Sequence, residues 1–411
     1  MLLLAAFAAL VWANSPWHEA YHTLFDTDIV VGVGRWSVDM KVHEWINDAA
    51  MTLFFLVVGL EIKRELVHGE LRNPRAAAVP LIGALGGMLV PALIFAAFNA
   101  GHAGSRGWGV PVATDIAFAV GVLALLGTRA PAGLKLLLLT LAVADDVGGI
   151  IVIAVAYAGG VDFAYLGLAA VALASTLLVR RLNAPWLVVP LAIVAWLATR
   201  ASGVHATIAG VALAMLTPAH PDNPADVTRE WADELDRDPT PDELKQLWYL
   251  AGSALSPVER IEHRLHKYTG FLIAPLFALA NVGVRFGDVS FGGSGATRVA
   301  LGAGVGLVVG KLVGVTGAMY FAVRSGIGRL PSDVRWMHVV GGAFVAGIGF
   351  TVSLFIGAIA FTDESLREVA TVSVLLASVL SALLGCAWLS FVVPRSAGLP
   401  KEMDSSARTA R

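Results

Sequence analysis

Long apolar stretches alternate with short charged breaks along the chain. A helix of about 20 apolar residues crosses the roughly 30 Å hydrocarbon core of a bilayer. The pattern therefore predicts an all-α polytopic membrane protein with about 12 transmembrane helices. The predicted spans are residues 1–13, 45–61, 76–98, 109–128, 133–158, 163–179, 185–199, 203–217, 268–284, 298–323, 337–361 and 369–394. We interpret 1–13 as a short first span, complete or truncated at its start, because it lacks the basic leading region of a signal peptide.

Composition supports this interpretation and excludes other classes of protein. The 411 residues are 57% hydrophobic and only 15% charged, whereas soluble domains carry about 25% charge. The net charge of −2 carries no information about nucleic-acid binding, but no basic tract indicates it, and we expect no nucleic-acid partner. The single cysteine, Cys386, excludes an intramolecular disulfide bond. We also expect no cofactor.

The lysines and arginines predict the orientation. With 12 spans and a cytoplasmic N-terminus, 21 of them lie on the cytoplasmic side, 7 lie outside, and Lys311 lies within a span. Cytoplasmic loops carry an excess of positive residues. The sequence therefore predicts a multi-pass protein of the inner membrane with both termini in the cytoplasm.

Two loops are long enough to hold structure of their own. Residues 218–267 form a charged cytoplasmic insert, in which 229–252 could form an amphipathic helix. The outer loop 16–44 contains DIVVGVGRWSVDM, a β-branched run interrupted by glycine that predicts a small hairpin. An isolated hairpin is marginally stable in water. A second chain could complete it, and an ordinary packed loop is an equal alternative.

Two adjacent carboxylates are the feature most suggestive of function. Asp145 and Asp146 are the only charged residues between 136 and 161, a stretch that extends about 39 Å as a helix. Charged groups at this depth are costly and mark ion paths or proton relays. Gly148 and Gly149 follow, and we expect them to admit the backbone of another helix. The pair therefore predicts an ion transporter.

A buried lysine is the expected partner of this pair. Lys311 lies thirteen residues from both Arg298 and Arg324, which places it near the bilayer midplane. A lysine there must lose its proton or pair with a carboxylate. Neighbouring helical residues point about 100° apart. One of Asp145 and Asp146 can thus face Lys311 while the other faces a cavity.

Two spans carry signs of a helix break. Pro111 and small residues precede Thr114 and Asp115 in the fourth span, and Gly347 and Gly349 lie in the eleventh. A broken helix exposes the dipole ends of its backbone, and a carboxylate stabilises a helix N-terminus. We therefore expect Asp115 beside such an end. The Thr114 hydroxyl could instead bond back to its own helix.

Eight ordered blocks resemble the NhaA family of Na⁺/H⁺ antiporters, nearly from end to end. They are INDAAMTLFFLVVGLEIKREL (46–66), ATDIAFAVGVLALLG (113–127), LAVADDVGGIIVIA (141–154), SGVHATIAGV (202–211), EHRLH (262–266), FLIAPLFALANVGV (271–284), GKLVG (310–314) and GIGFTVSLFI (347–356).

The resemblance implies an architecture. NhaA is itself an example of the inverted-repeat transporters, and here spans three to five would correspond to spans ten to twelve, with interrupted helices 4 and 11 crossing at the midplane. It also implies a homodimer, which we place at the 27–41 hairpin. A single membrane domain, 1–394, would then consist of a core (45–61, 76–158, 268–284, 298–394), a panel (1–44, 163–217) and the insert 218–267, followed by a cytoplasmic tail, 395–411.

The resemblance also implies roles for the buried residues. Asp146 corresponds to the principal Na⁺ ligand and proton carrier, and Asp145 to its partner, which can pair with Lys311. Thr114 would assist in binding the cation as a further ligand. Asp115 and Lys311 would balance the dipole ends at the crossing.

A second group of residues corresponds to the family's pH-sensing cluster. Its members here are Glu61, Arg64, Glu65, Glu262, His263 and His266. His205 matches a separate pH-related position, and Asp48 a further family acid. The chain has Glu259 and Arg260 where the family has a basic pair, Arg264 in place of an apolar residue, and a longer insert. We expect Na⁺ transport to survive these departures, whereas the pH profile could change.

These features together predict an electrogenic antiporter that exports Na⁺, and also Li⁺, against H⁺ by alternating access. Na⁺ and H⁺ would compete for Asp146, because a buried carboxylate is more stable with either cation bound than as a free anion. A Na⁺-coupled solute symporter is the main alternative. A cation channel fits a buried ion pair less well. An intramembrane aspartyl protease would pair Asp115 with Asp146, but its GxGD motif is absent and Lys311 would have no role.

Overall fold

The computed structural model describes most of the chain. The residues described are 1–33, 36–182, 184–221, 240, 243, 247, 254–287, 289 and 291–392. Apart from three single positions, the amphipathic helix predicted in 229–252 lies outside the described residues, as does the predicted tail 395–411.

The described chain is helical apart from one hairpin. Up to the charged insert the elements are α1 (Leu2–Ala13), α2 (His18–Asp26), β1 (Asp28–Val33), β2 (Trp36–Lys41), α3 (Val42–Val67), α4 (Pro74–Asn99), α5 (Ile116–Leu125), α6 (Ala132–Ala156), α7 (Phe163–Arg181), α8 (Val188–Ala201) and α9 (Thr207–Leu216). After the insert come α10 (Pro257–Tyr268), α11 (Ala274–Asn281), α12 (Ser294–Val305), α13 (Lys311–Arg324), α14 (Trp336–Val345), α15 (Phe350–Ala360) and α16 (Glu364–Ala387).

Within the described residues, six helical stretches are long and apolar enough to cross a membrane, and a bent pair makes a seventh. Four further apolar helices are shorter. The predicted polytopic helical membrane protein is therefore confirmed, while the count of 12 spans and the inverted repeat stay predictions. Several helices exceed their apolar windows, because their charged ends continue beyond the hydrocarbon. For example, α3 runs from Val42 to Val67 rather than over 45–61.

The chain is interrupted within the predicted fourth and eleventh spans. A 3₁₀ turn, Ala103–Gly109, is followed by non-helical residues, and α5 begins only at Ile116. In the eleventh span α14 ends at Val345 and α15 begins at Phe350, with a bend of 46° between them. The two breaks lie against each other, since the backbone N–H of Asp115 donates to the carbonyl of Ile348 at 2.6 Å.

Close approach of two helix backbones occurs at a different glycine pair from the one predicted. A Cβ on Gly148 would meet the side chain of Met88, and one on Gly149 would meet no described atom within 4 Å. The prediction of backbone contact at these two glycines was wrong. Instead α4 and α13 touch at Gly86 and Gly314, where a Cβ on either residue would collide with the carbonyl oxygen of the other. This contact therefore requires glycine at both positions, because any side chain would collide with the opposite backbone.

The predicted hairpin is confirmed. Strands β1 and β2 are antiparallel, with Asp28 opposite Lys41. The indole N–H of Trp45 donates to the carbonyl of Ile29 at 3.1 Å, which ties the hairpin to the start of α3. Val30 is 61% exposed. The hairpin therefore presents apolar side chains away from the helices.

Candidate ion site at the helix crossing

An ion pair between α6 and α13 lies at the centre of the site. The Lys311 ammonium nitrogen is 2.5 Å from Oδ2 of Asp145, and both side chains are fully buried. The Thr114 hydroxyl lies 2.6 Å from the same carboxylate oxygen. The structure thus brings together three of the residues predicted from the sequence. Buried charges are tolerated only when paired and hydrogen-bonded in this way.

Thr114 connects this ion pair to the eleventh span. Its hydroxyl is also 2.8 Å from the carbonyl oxygen of Ala346, just after α14. A hydroxyl has one proton to donate, so it can donate either to the Asp145 carboxylate or to the Ala346 carbonyl. The alternative in which Thr114 bonds back to its own helix does not occur. Its hydroxyl instead links the two helix breaks.

Asp115 caps the N-termini of two half-helices at once. Its Oδ1 accepts the backbone N–H of Phe118 at 3.2 Å, in the first turn of α5. Its Oδ2 accepts the backbone N–H of Thr351 at 3.1 Å and the hydroxyl at 2.6 Å, in the first turn of α15. Helix N-termini carry partial positive charge and attract anions. Because both oxygens are engaged in this way, Asp115 is not available as the second acid of a protease dyad.

Asp146 differs from its neighbour. It is largely buried, with 8% of its surface exposed, and no hydrogen bond or ion pair joins its side chain to a residue that the structure describes. Asp145, by contrast, is bound to Lys311 and Thr114 through Oδ2, while its Oδ1 is buried without a hydrogen-bond partner among the described residues. The two adjacent residues of α6 therefore differ. Two side chains bind the Asp145 carboxylate, whereas none of the described residues binds the Asp146 carboxylate.

A second charged group lies near the C-terminal end of α3. The Arg64 guanidinium pairs with Glu262 of α10 and lies 3.4 Å from Glu65. Burial raises the pKa of Glu262 to about 7, although the positive charge of Arg64 opposes this rise. His263 and His266, on the same helix, are exposed. Glu61, one turn before Arg64 on α3, lies within electrostatic range of both Arg64 and His266. Five predicted residues therefore form what we call the Arg64 cluster: Glu61, Arg64, Glu65, Glu262 and His266.

Two predicted residues lie apart from both groups. The ring of His205, between α8 and α9, packs edge-on against Phe355 with 6.1 Å between ring centroids. Asp48 lies in the first turns of α3, where its Oδ2 is 3.3 Å from Nε of Arg200. Arg200 also approaches Glu44 at 3.9 Å.

Sequence reasoning did not identify Thr351 or Arg200. Thr351 could have been found from its position just after a predicted break, since hydroxyl residues favour the start of a helix. Arg200 could have been found by asking which cation neutralises Asp48 within its span.

The chain is similar to known antiporters over nearly its whole length. A family described as Na⁺/H⁺ antiporter 1 matches residues 1–389. Na⁺/H⁺ antiporter NhaA 2 of Sorangium cellulosum is 44% identical, covering 100% of this chain and 90% of the relative. The NhaA antiporter of a Janthinobacterium species is also 44% identical, over 96% and 90%. That of Rhodopirellula baltica is 40% identical, over 96% and 91%. These matches confirm the resemblance seen in the sequence.

Proposed function

Because the chain belongs to the Na⁺/H⁺ antiporter 1 family, we propose that it exports Na⁺ and Li⁺ in exchange for H⁺ by electrogenic alternating access. The observation that carries this proposal is the unequal state of the two adjacent carboxylates. Asp145 is held by Lys311, while Asp146 is buried without a partner among the described residues. Asp146 is the transported ion's binding residue.

Competition at Asp146 supplies the coupling. An ionised carboxylate away from water and without a partner is unfavourable. Either a proton or a Na⁺ ion relieves this cost, and the two cannot occupy the same oxygen together. On each side of the membrane, Asp146 therefore binds either Na⁺ or H⁺ but not both. No separate coupling device is required.

The Asp145–Lys311 pair makes the exchange electrogenic. When Na⁺ binds at Asp146, the adjacent Asp145 supplies a second carboxylate, whose Oδ1 has no hydrogen-bond partner among the described residues. Its engagement by Na⁺ weakens the bond to Lys311 and favours loss of a proton from the amine. More than one proton then moves for each Na⁺. The membrane potential contributes about 2.3 kcal/mol per elementary charge per 100 mV.

Thr114 and Asp115 link ion occupancy to the crossing. When Asp145 is released from Lys311, the strongest acceptor for the Thr114 hydroxyl changes, and the Ala346 carbonyl competes for its proton. Asp115 holds the first turns of both half-helices through one carboxylate. A change at the site is thereby transmitted to α15 and to the residues before α5.

The remaining assignments follow from the same family membership. The Arg64 cluster, on the cytoplasmic side of the membrane, regulates activity with pH, because Glu262 changes charge near pH 7. The protein acts in the inner membrane with both termini in the cytoplasm, as a homodimer through the 27–41 hairpin. His205 contributes to this regulation, and Asp48 is a further acid of the family, paired here with Arg200.

Replacement of Asp146 by asparagine tests the site assignment. Inverted membrane vesicles are acidified, and a pH-sensitive dye records proton release on addition of Na⁺ or Li⁺. Asp146→Asn should lose this release entirely, because an amide neither carries the proton nor offers the charge for Na⁺. Glu19→Gln, at an exposed glutamate of α2, should behave as the wild type. Exchange retained by Asp146→Asn would contradict the assignment.

A further inference from the structure

Two serines of α16 lie against the break between α14 and α15. Ser378 and Ser381 are one helical turn apart on the same face, and both are buried, at 5% and 0% exposure. Neither belongs to the crossing as the sequence predicted it. The segment they touch, 346–349, carries the Ala346 and Ile348 carbonyls that bind Thr114 and the backbone of Asp115.

Ser378 caps the first turn of α15 from a neighbouring helix. Its hydroxyl oxygen lies 3.3 Å from the backbone nitrogens of both Gly349 and Phe350. The first N–H groups of a helix have no partner within the helix itself. Asp115 accepts the next one, from Thr351. The start of α15 is therefore held from two sides, by Asp115 on one and by Ser378 on the other.

Ser381 is buried and has no hydrogen-bond partner among the described residues. A Cβ on Gly347 would lie 2.6 Å from its hydroxyl oxygen, so this oxygen faces the break directly. Buried polar groups in native proteins are nearly always hydrogen-bonded, and an exception calls for an explanation. Here the hydroxyl is directed at a segment that alternating access would have to rearrange.

We infer that Ser378 and Ser381 are positioning residues for the 346–349 segment, and that each holds this segment in one of two alternative conformations. Ser378 fixes α15 in the conformation described here, and thereby sets the Ala346 and Ile348 carbonyls around Thr114 and Asp115. Ser381 accepts a backbone N–H of the same segment when the crossing rearranges. This inference rests on the proposed antiport by alternating access, since it assigns one serine to each conformation.

The two serines should differ in their kinetic effects. Ser378→Ala releases the start of α15 and disturbs the ion site. The KM for Na⁺ should rise roughly five- to tenfold, the change expected from loss of one hydrogen bond, with a smaller effect on the maximal rate. Ser381→Ala removes a hydrogen bond that forms only after the crossing rearranges, and therefore leaves the ion site of the present conformation intact. It should lower the maximal rate by a similar factor and leave KM unchanged.

Ser373 provides a matched control on the same helix. It is also buried, but its hydroxyl donates to the Val369 carbonyl of its own helix at 2.7 Å. Ser373→Ala should therefore retain the wild-type KM and rate. Ser378→Cys keeps the size of the side chain with a weaker acceptor, and should give an intermediate KM. It also serves as the deciding variant if Ser378→Ala does not reach the membrane.

The measurement is Na⁺-dependent proton release from inverted vesicles over a range of Na⁺ concentrations, with equal amounts of each variant in the membrane. Absence of exchange in the wild type would overturn the proposed function itself. Wild-type exchange together with a Ser378→Ala or Ser378→Cys KM equal to that of Ser373→Ala would overturn the role of Ser378. A Ser381→Ala protein identical to the wild type in KM and maximal rate would overturn the role of Ser381 in the second conformation.

Discussion

The helix crossing and the Arg64 cluster each contain a cation paired with a carboxylate, in opposite surroundings. Lys311 and Asp145 are fully buried. In the Arg64–Glu262 pair, the arginine side chain is 34% exposed and the glutamate 11%. Water reaches the second pair and not the first. Under the proposed function, we therefore expect an all-or-none exchange of partners in the crossing and a graded response to pH in the cluster.

The difference follows from desolvation. Removal of one member of a buried pair leaves an uncompensated charge and costs about 3–5 kcal/mol. A pair near water loses much less, because solvent and salt replace the missing partner. Asp115 belongs with the crossing by this criterion, since its carboxylate is held by two buried helix ends.

The largest effect should come from breaking the buried pair. Lys311→Met keeps the approximate volume but leaves Asp145 without a cation, and should lower the free energy of unfolding by about 3–5 kcal/mol. Thermal unfolding of purified protein in detergent measures this loss. Lys41→Met, at an exposed lysine paired with Asp26, should show little change. Equal losses of stability in the two variants would show that the buried pair contributes no more than an exposed one.

A double variant sharpens the same point. Asp145→Asn combined with Lys311→Met removes both charges, so no unpaired charge remains. It should recover most of the stability that Lys311→Met loses, because replacement of a buried pair by neutral groups is often nearly neutral. It should nevertheless show no dependence of exchange on membrane potential. Failure to recover stability would mean that the pair is not the source of the loss.

A smaller effect is expected at the crossing's cap. Thr351→Val removes the hydroxyl that donates to Asp115 at 2.6 Å but keeps the backbone bond. A hydrogen bond to a charged group contributes about 1.5–3 kcal/mol, and the melting temperature should fall accordingly. Thr140→Val is the matched control, because the Thr140 hydroxyl donates only to Leu136 of its own helix. The crossing is not held by this cap if both variants melt alike.

The smallest effect should come from the Arg64 cluster. The pKa of Glu262 is raised from 4.5 to about 7, so the folded protein retains this proton more tightly than the unfolded chain. Its contribution to stability is therefore full below pH 4.5 and is lost as the pH rises toward 7. Glu262→Gln stays neutral and should not show this decline. The difference in melting temperature between wild type and variant, measured from pH 4.5 to 8, tests this.

The activity of Glu262→Gln should also lose any step near pH 7, with the maximal rate retained. Glu19→Gln, at an exposed glutamate of α2, should keep both the wild-type melting curve and the wild-type pH profile. An unchanged profile for Glu262→Gln would place pH regulation elsewhere. This would weaken the contrast between the cluster and the crossing.

The sequence predicted best what depends on the local pattern and on burial. Apolar windows located the helices, and the glycine-interrupted β-branched run located the hairpin. The cost of an isolated charge in hydrocarbon identified Lys311 as a partner for Asp145 or Asp146. These inferences need only the chain itself and the properties of the bilayer.

What the sequence did not predict depends on how the breaks cross. Thr351 and Ser378 are ordinary hydroxyl residues in apolar helices, and only the meeting of α15 with Asp115 and α16 gives them partners. Helix contacts were also misjudged at Gly148, where a side chain fills the space. Small residues permit a close approach, but they do not determine which helix makes it.

The contact between Gly86 and Gly314 has a consequence for how the site can move. Gly314 lies three residues after Lys311 on α13, and Gly310 packs against Pro91 of α4 on the same side. Backbones in contact at two places leave little freedom to slide, so α4 and α13 form one rigid unit that carries the amine. A change in the distance between Lys311 and Asp145 must then come from displacement of α6 relative to this unit.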